Sequence, residues 1–170
     1  MHSDPRCLEF GSTTVTAPHY TWISKQFNER LALFELFVEQ KFAAKVAAKQ
    51  FELTYINHVS DDSGWRTVED LASVLPDMSW RTQPRFLPMP EGVNFSAVFK
   101  LPATAGRLHL RAQSAQRRPD GKPVLVLELT ARGFLPDRTE WLDLAHDWIV
   151  RAFSDLTGQE VQSQTWRRTQ

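Results

Sequence analysis

An α+β fold, built as an antiparallel sheet of four to five meandering strands with two long helices on one face, is what the amino-acid sequence predicts. Three observations carry that prediction. Residues 124–158 read as a strand (VLVLELTARG), a Pro-Asp corner and a long amphipathic helix. A second apolar periodicity, at Ile23, Phe27, Leu31, Phe34, Val38 and Phe42, marks another helix over about 20–42. Between them lie alternating stretches joined by short turns, and hairpin connections argue against a doubly wound parallel sheet.

Taken in order, residues 8–16 (LEFGSTTVT) are β-prone and short with Gly11 inside, as suits an edge strand. The helix over 20–42 has its apolar face widened by Leu33, Leu36 and Phe37, enough to contact two surfaces: its own sheet, and a further element or another chain. No Gly or Pro marks its end, so residues 43–49 either continue it or open the next strand. Phe51–Val59 alternates as a strand, and SDDSG (60–64) is a turn-rich loop. Thr67 with Asp70 has the spacing of a capping box, opening a short helix to about Leu75 that Pro76 stops. Residues 77–92 carry Pro84, Pro88 and Pro90 and form a long loop or lid.

The remainder is a meander closed by a helix. Phe95, Ala97, Phe99 and Leu101 alternate with Ser96, Val98 and Lys100, and Leu108 and Leu110 alternate with Arg107, His109 and Arg111. The turn at 118–121 (Arg-Pro-Asp-Gly) suits type I geometry and a hairpin. A register in which Leu110 faces Leu129 sets Arg111 opposite Glu128 and His109 opposite Thr130, which keeps both faces self-consistent. Asp137 is a good N-cap with Glu140 three residues on. Trp141, Ala145, Trp148, Ile149, Ala152, Phe153 and Leu156 form one stripe, and Gly158 is expected to end the helix in the left-handed conformation. Residues 159–168 alternate weakly, as a short strand or a loose tail.

The 170 residues suit one domain spanning 1–170, with 1–7 and 167–170 loose. Twenty Lys and Arg balance twenty Asp and Glu, so no global field draws nucleic acid or an anionic membrane. The single cysteine, Cys7, excludes an internal disulfide and a thiolate metal cluster within one chain. MHSDPRCLEF lacks the pattern of a signal peptide and no apolar run is long enough for a membrane span, which gives a cytoplasmic protein as the expectation.

Few residues suggest chemistry, and each also has a structural reading. Asp143, His146 and Asp147 share a helix face and could form a metal site or an acid-base pair. Zinc needs three or four ligands, though, and no second cluster with ligand spacing exists. The structural reading is a solvated face with Asp147 and Arg151 paired. Tyr55, Asn57 and His58 end a strand beside Asp61 and Asp62, so His58 could act as a base near neutral pH. Equally, Asn57 would hold a turn and Tyr55 would sit in the core. Lys100, Arg107, Arg111, Arg117, Arg118 and Lys122 face one acid, Asp120, across the hairpin region, which suits a phosphate backbone, an acidic partner or plain solvation. No Gly-x-Ser-x-Gly elbow and no Gly-rich phosphate loop is present.

ELTYINHV (52–59) followed by WLDLAHDWIVRAFSDLTG (141–158) and Trp166 resembles a sporadically distributed bacterial protein family of unknown function. Its marks are a Tyr-x-Asn strand, here Tyr55 and Asn57, and a C-terminal helix with Leu142, His146 and Phe153. The resemblance runs from about Tyr20 onward and implies a chain shortened at its N-terminus, with an unfilled sheet edge at 8–16 that favours a partner. The family has no established activity to transfer.

The leading expectation is therefore a non-enzymatic interaction or assembly module of a bacterial cytoplasmic system, with a protein partner or a homodimer. No catalytic residue, metal or cofactor is assigned, and Tyr55, Asn57, His58, Arg111, Arg117, Arg118 and His146 are the candidate binding residues. The alternative is a small-ligand or enzymatic domain of helix-grip type, whose cavity would be lined by Phe95, Phe99, Leu110, Leu127 and Trp148 beneath the Pro-rich lid. Nucleic-acid binding through the Arg-rich hairpin is a weaker third reading, disfavoured by the balanced charge.

Overall fold

The computed structural model describes residues 19–78, 86–118 and 120–166. The chain divides into two compact units, residues 1–49 and 50–170.

The described part of the first unit is α1 (Tyr20–Phe42), which covers the stretch its periodicity marks. Nδ1 of His19 accepts from the Thr21 amide at 3.4 Å and so supplies the N-cap. The open C-terminal boundary is settled at Ala43. It adopts φ 50° and donates its amide to the Glu39 carbonyl at 3.0 Å. A left-handed end of this kind usually falls to Gly, and an alanine there carries a steric cost of about 1–2 kcal/mol. No residue of α1 is buried.

The second unit holds a four-stranded antiparallel sheet in the order β1 (Phe51–Val59), β4 (Pro123–Gly133), β3 (Gly106–Gln116), β2 (Asn94–Lys100). β2, β3 and β4 form the expected meander, and β1 joins its far edge beside β4. Leu110 pairs with Leu129, Arg111 with Glu128 and His109 with Thr130, which is the predicted register. Period-2 alternation then sends Leu53, Tyr55, Leu108, Leu110, Leu127 and Leu129 to one face and leaves Glu52, Ile56, Arg107, Arg111 and Arg132 on the other. The β3–β4 hairpin closes through the Arg117 amide to the Lys122 carbonyl and the Gly121 amide to the Arg117 carbonyl, both at 2.8 Å. Pro119 lies outside the described residues.

The apolar face is covered by α3 (Arg138–Leu156), which packs across β1, β4 and β3. Within this unit α3 is the one long helix on that face, since α1 belongs to the other unit. Oδ1 of Asp137 accepts from the Glu140 amide at 3.0 Å, so the N-cap forms, although Glu140 returns no bond and the box stays half made. Trp141, Leu142, Ala145, Ile149, Phe153 and Leu156 are buried, while Trp148 and Ala152 flank the stripe half-buried. The Trp141 indole donates to the Ala105 carbonyl at 2.9 Å and locks the start of α3 to the β2–β3 turn.

A smaller layer closes one end of the sheet. Thr67 and Asp70 make the predicted capping box, with Asp70 Oδ2 accepting from the Thr67 amide at 2.9 Å. A 3₁₀ turn over Val68–Asp70 leads into α2 (Leu71–Val74), and Leu75 ends it before Pro76. Two expectations fail here. Gly158 does not take a positive φ, and α3 instead ends with Thr157 in an extended conformation. The glycine is needed for room: its amide donates to the Val74 carbonyl at 3.0 Å, and a Cβ would lie 2.0 Å from the Ser73 carbonyl oxygen. The tail is neither strand nor loose, because residues 159–166 wind into a wide helical turn whose Val161, Gln162 and Trp166 are buried. Trp166 stacks on Phe153 at 5.4 Å and donates its indole N–H to the Ser63 carbonyl at 3.0 Å. The Gln162 amide donates to the carbonyls of Ser154 and Thr157, each at 2.8 Å, which satisfies a polar group in an otherwise apolar layer.

The expected edge strand at 8–16, Cys7, the tail residues 167–170 and the centre of the proposed lid, 79–85 with Pro84, lie outside the described residues.

Candidate functional site

Three of the seven candidate residues come to the layer between β1 and α3. Alternation along β1 turns Tyr55 and Asn57 toward the helix, and α3 brings down His146 one turn after Leu142. The Tyr55 hydroxyl lies 2.7 Å from His146 Nδ1, with the rings 5.8 Å apart and tilted by 46°. Burial pushes the Tyr55 phenol above its ordinary value near 10, so it stays neutral and can donate to Nδ1 or accept from it. This pair has the geometry of a proton relay, and equally of a polar pin between strand and helix. Opposite parity puts His58 on the open face of the sheet, paired with Val126 and apart from the other two.

Asp143 is exposed, and Asp147 accepts from Arg151 Nε at 2.8 Å as the ordinary i,i+4 surface pair. Among the described residues no group of three or more His, Cys, Asp or Glu is placed to hold a metal ion.

The basic residues of the hairpin region separate into two sets. At the tip, Arg117 donates to Asp120 through Nε and Nη2, with Nε to Oδ1 at 2.9 Å, and Lys122 reaches Asp61 Oδ2 at 3.5 Å. The Arg117 bond holds the Asp120 carboxyl down to about 2. Arg118 remains exposed at the tip. Lys100, Arg107 and Arg111 belong instead to the open face. There Lys100 pairs with Arg107, Arg107 with Arg132, and Arg132 with Glu52, so three cations stand in one row across three adjacent strands. Alternation with Leu108 and Leu110 sets Arg107 apart from the apolar positions in the sequence, but did not join it to Arg132. The signal was available, since any register with Leu110 opposite Leu129 also sets Arg107 opposite Arg132.

Of the five residues proposed to line a helix-grip cavity, Leu110 and Leu127 are 1% and 0% exposed and packed into the core, while Phe99, paired with Leu108 on the same apolar face, is part-exposed at the β2 edge. A cleft of about 240 Å³ opens elsewhere, between the Trp65–Val68 segment, Glu91 and the end of the β3–β4 hairpin at Ser114, Gln116 and Pro123. None of the five lines it. The Ser114 hydroxyl at its edge is held by the amide and carbonyl of Val93, at 2.8 and 3.3 Å.

Comparison with family models, with curated proteins and with solved structures finds no match.

Proposed function

We propose that this chain is a non-enzymatic interaction or assembly module, and that α1 is its docking element. The observation that carries this reading is the surface of α1. Trp22, Ile23, Phe27, Leu33, Phe34, Leu36, Phe37 and Phe42 are each between 45% and 67% exposed. Apart from Gln26, the half-shielded positions, Tyr20, Ser24, Asn28, Leu31, Glu35 and Val38, form one stripe, so the apolar arc occupies most of the remaining circumference. Eight such side chains at roughly 200 Å² each, half exposed, present on the order of 800 Å². That matches the share one partner contributes to a standard interface, about 800 Å², and exceeds the scattered apolar exposure of an ordinary monomer surface. The bacterial and cytoplasmic setting rests on the family resemblance and on the composition.

The test is light scattering coupled to size exclusion on the full chain and on a Phe27→Glu, Phe34→Glu variant. The expected result is a dimer or larger assembly for the unaltered chain, reduced to a monomer in the variant with the unfolding transition of residues 50–170 unchanged. An inert monomer at about 100 μM, a concentration at which a micromolar interface is saturated, overturns the reading.

A further inference from the structure

We propose that the open face of the sheet is a second docking surface, fitted to an acidic amphipathic helix of a partner protein. Lys100, Arg107 and Arg132 would take its carboxylates. The proposal stands on the sheet alone and is independent of α1.

Directly opposed like charges destabilise a sheet, yet Lys100, Arg107 and Arg132 are opposed in register on β2, β3 and β4. Only Arg132 is compensated within the row, by Glu52 at 2.6 Å. Arg107 reaches no more than the Gly106 carbonyl, at 3.1 Å, and among the described residues neither it nor Lys100 meets a carboxylate. Two rows along, Arg111 is held by Gln113 at 2.7 Å. The face also carries Glu128, His58 and His109, so four Lys and Arg stand against two acids in a chain whose total charge is zero.

Geometry and composition select the partner's chemistry. Neighbouring strands lie about 4.8 Å apart, so the row spans about 10 Å. Carboxylates at i and i+4 of a helix are about 6 Å apart along its axis, close enough for flexible Lys and Arg side chains to meet each in turn. Ile56 and Val98 are 59% and 58% exposed on this same face, and suit apolar side chains of a protein better than a phosphate backbone. Among the described residues the face carries no Phe, Tyr or Trp on which a base could stack. Glu52 and Glu128 would also repel a continuous polyphosphate.

The experiment uses the full chain and two synthetic helical peptides of about fifteen residues, one with Glu at i, i+4 and i+8 among Leu and Ala, the other with Gln at those positions. Fluorescence anisotropy at low salt should show the Glu peptide binding at least about tenfold more tightly, a difference of 1.4 kcal/mol. Arg107→Glu should remove that preference. It should also raise Tm by a few degrees, because two like-charge pairs become opposite pairs. Phe34→Glu in α1 should leave peptide binding unchanged, which separates this surface from the α1 reading. Equal binding of both peptides, indifference to Arg107→Glu, or displacement of the Glu peptide by a random-sequence DNA duplex at lower concentration than by unlabelled peptide each overturns the proposal.

Discussion

Gly158 illustrates how one residue can be right in the sequence for the wrong reason. A glycine after an apolar helical stripe predicts a left-handed cap, and the chain does turn there. The physical demand is steric, however, because the Ser73 carbonyl occupies the space of a Cβ. Gly158→Ala should therefore destabilise the fold by about 2–3 kcal/mol through overpacking against backbone that cannot yield, read as a lowered urea midpoint at constant m. A neutral substitution would show that the contact between the end of α3 and α2 relaxes freely. Tyr55 and His146 make the opposite case. Both residue types stood out in the sequence, but 91 positions separate them. Only the register of β1 on β4, together with the rotation of α3, brings the hydroxyl to 2.7 Å from the ring.

At the scale of elements, the β3–β4 hairpin was the most legible part of the chain. Alternation over both strands admits one register that keeps the apolar faces together, because a slip by one residue would turn every leucine outward. Its charges were less legible. Six basic residues read as a single patch along the sequence, whereas parity and the turn divide them between the tip and the open face. At the tip Arg117 is neutralised by Asp120, which has a consequence in pH. The Asp120 carboxyl should titrate at about 2 in carbon-detected NMR, and Arg117→Ala should return it toward its ordinary 3.8. Because the folded value is depressed, the favourable contribution of this pair is complete above 3.8 and is lost as pH falls through about 2. Both groups are exposed, so the effect on global stability is small. A titration of Asp120 unchanged in Arg117→Ala would sink this account. The helices show the same division between local and non-local information. The extent of the apolar stripe of α1 and the N-cap of α3 followed from spacing and capping chemistry, while the end of α1 did not, and the turn at 159–166 looked like weak alternation because Trp166 is fixed by Phe153 and Ser63, partners remote in sequence.

At the scale of the molecule, the sheet, α3, α2 and the final helical turn form a unit whose core lies between one face of the sheet and the helices. Trp65, Trp141, Leu110, Leu127, Leu129 and Ile149 are among its fully buried side chains. A fragment spanning residues 50–170 contains that entire core, and is expected to fold alone with a single cooperative thermal transition followed by circular dichroism. Non-cooperative melting of the fragment would mean that residues before 50 are part of its stability. The two surfaces proposed for partners lie one in each unit: the apolar arc of α1, and the cationic row on the open face of the sheet. Each departs from what a self-sufficient fold prefers, the first by exposing aromatic rings and the second by aligning like charges. Departures of this kind concentrate where a molecule meets something else.

By itself the sequence determined the α+β class, the strands from 51 onward, the pairing of β3 with β4, the start of α1, the N-cap of α3 and the Thr67–Asp70 box, because each depends on side-chain periodicity or on hydrogen bonds within a few residues. Tertiary structure alone decided that β1 lies against β4, that Tyr55 meets His146, that Gly158 is required for space, and that Lys100, Arg107 and Arg132 share one row. These are contacts between segments distant along the chain. Their geometry is set by how strands and helices pack together, which no local pattern encodes.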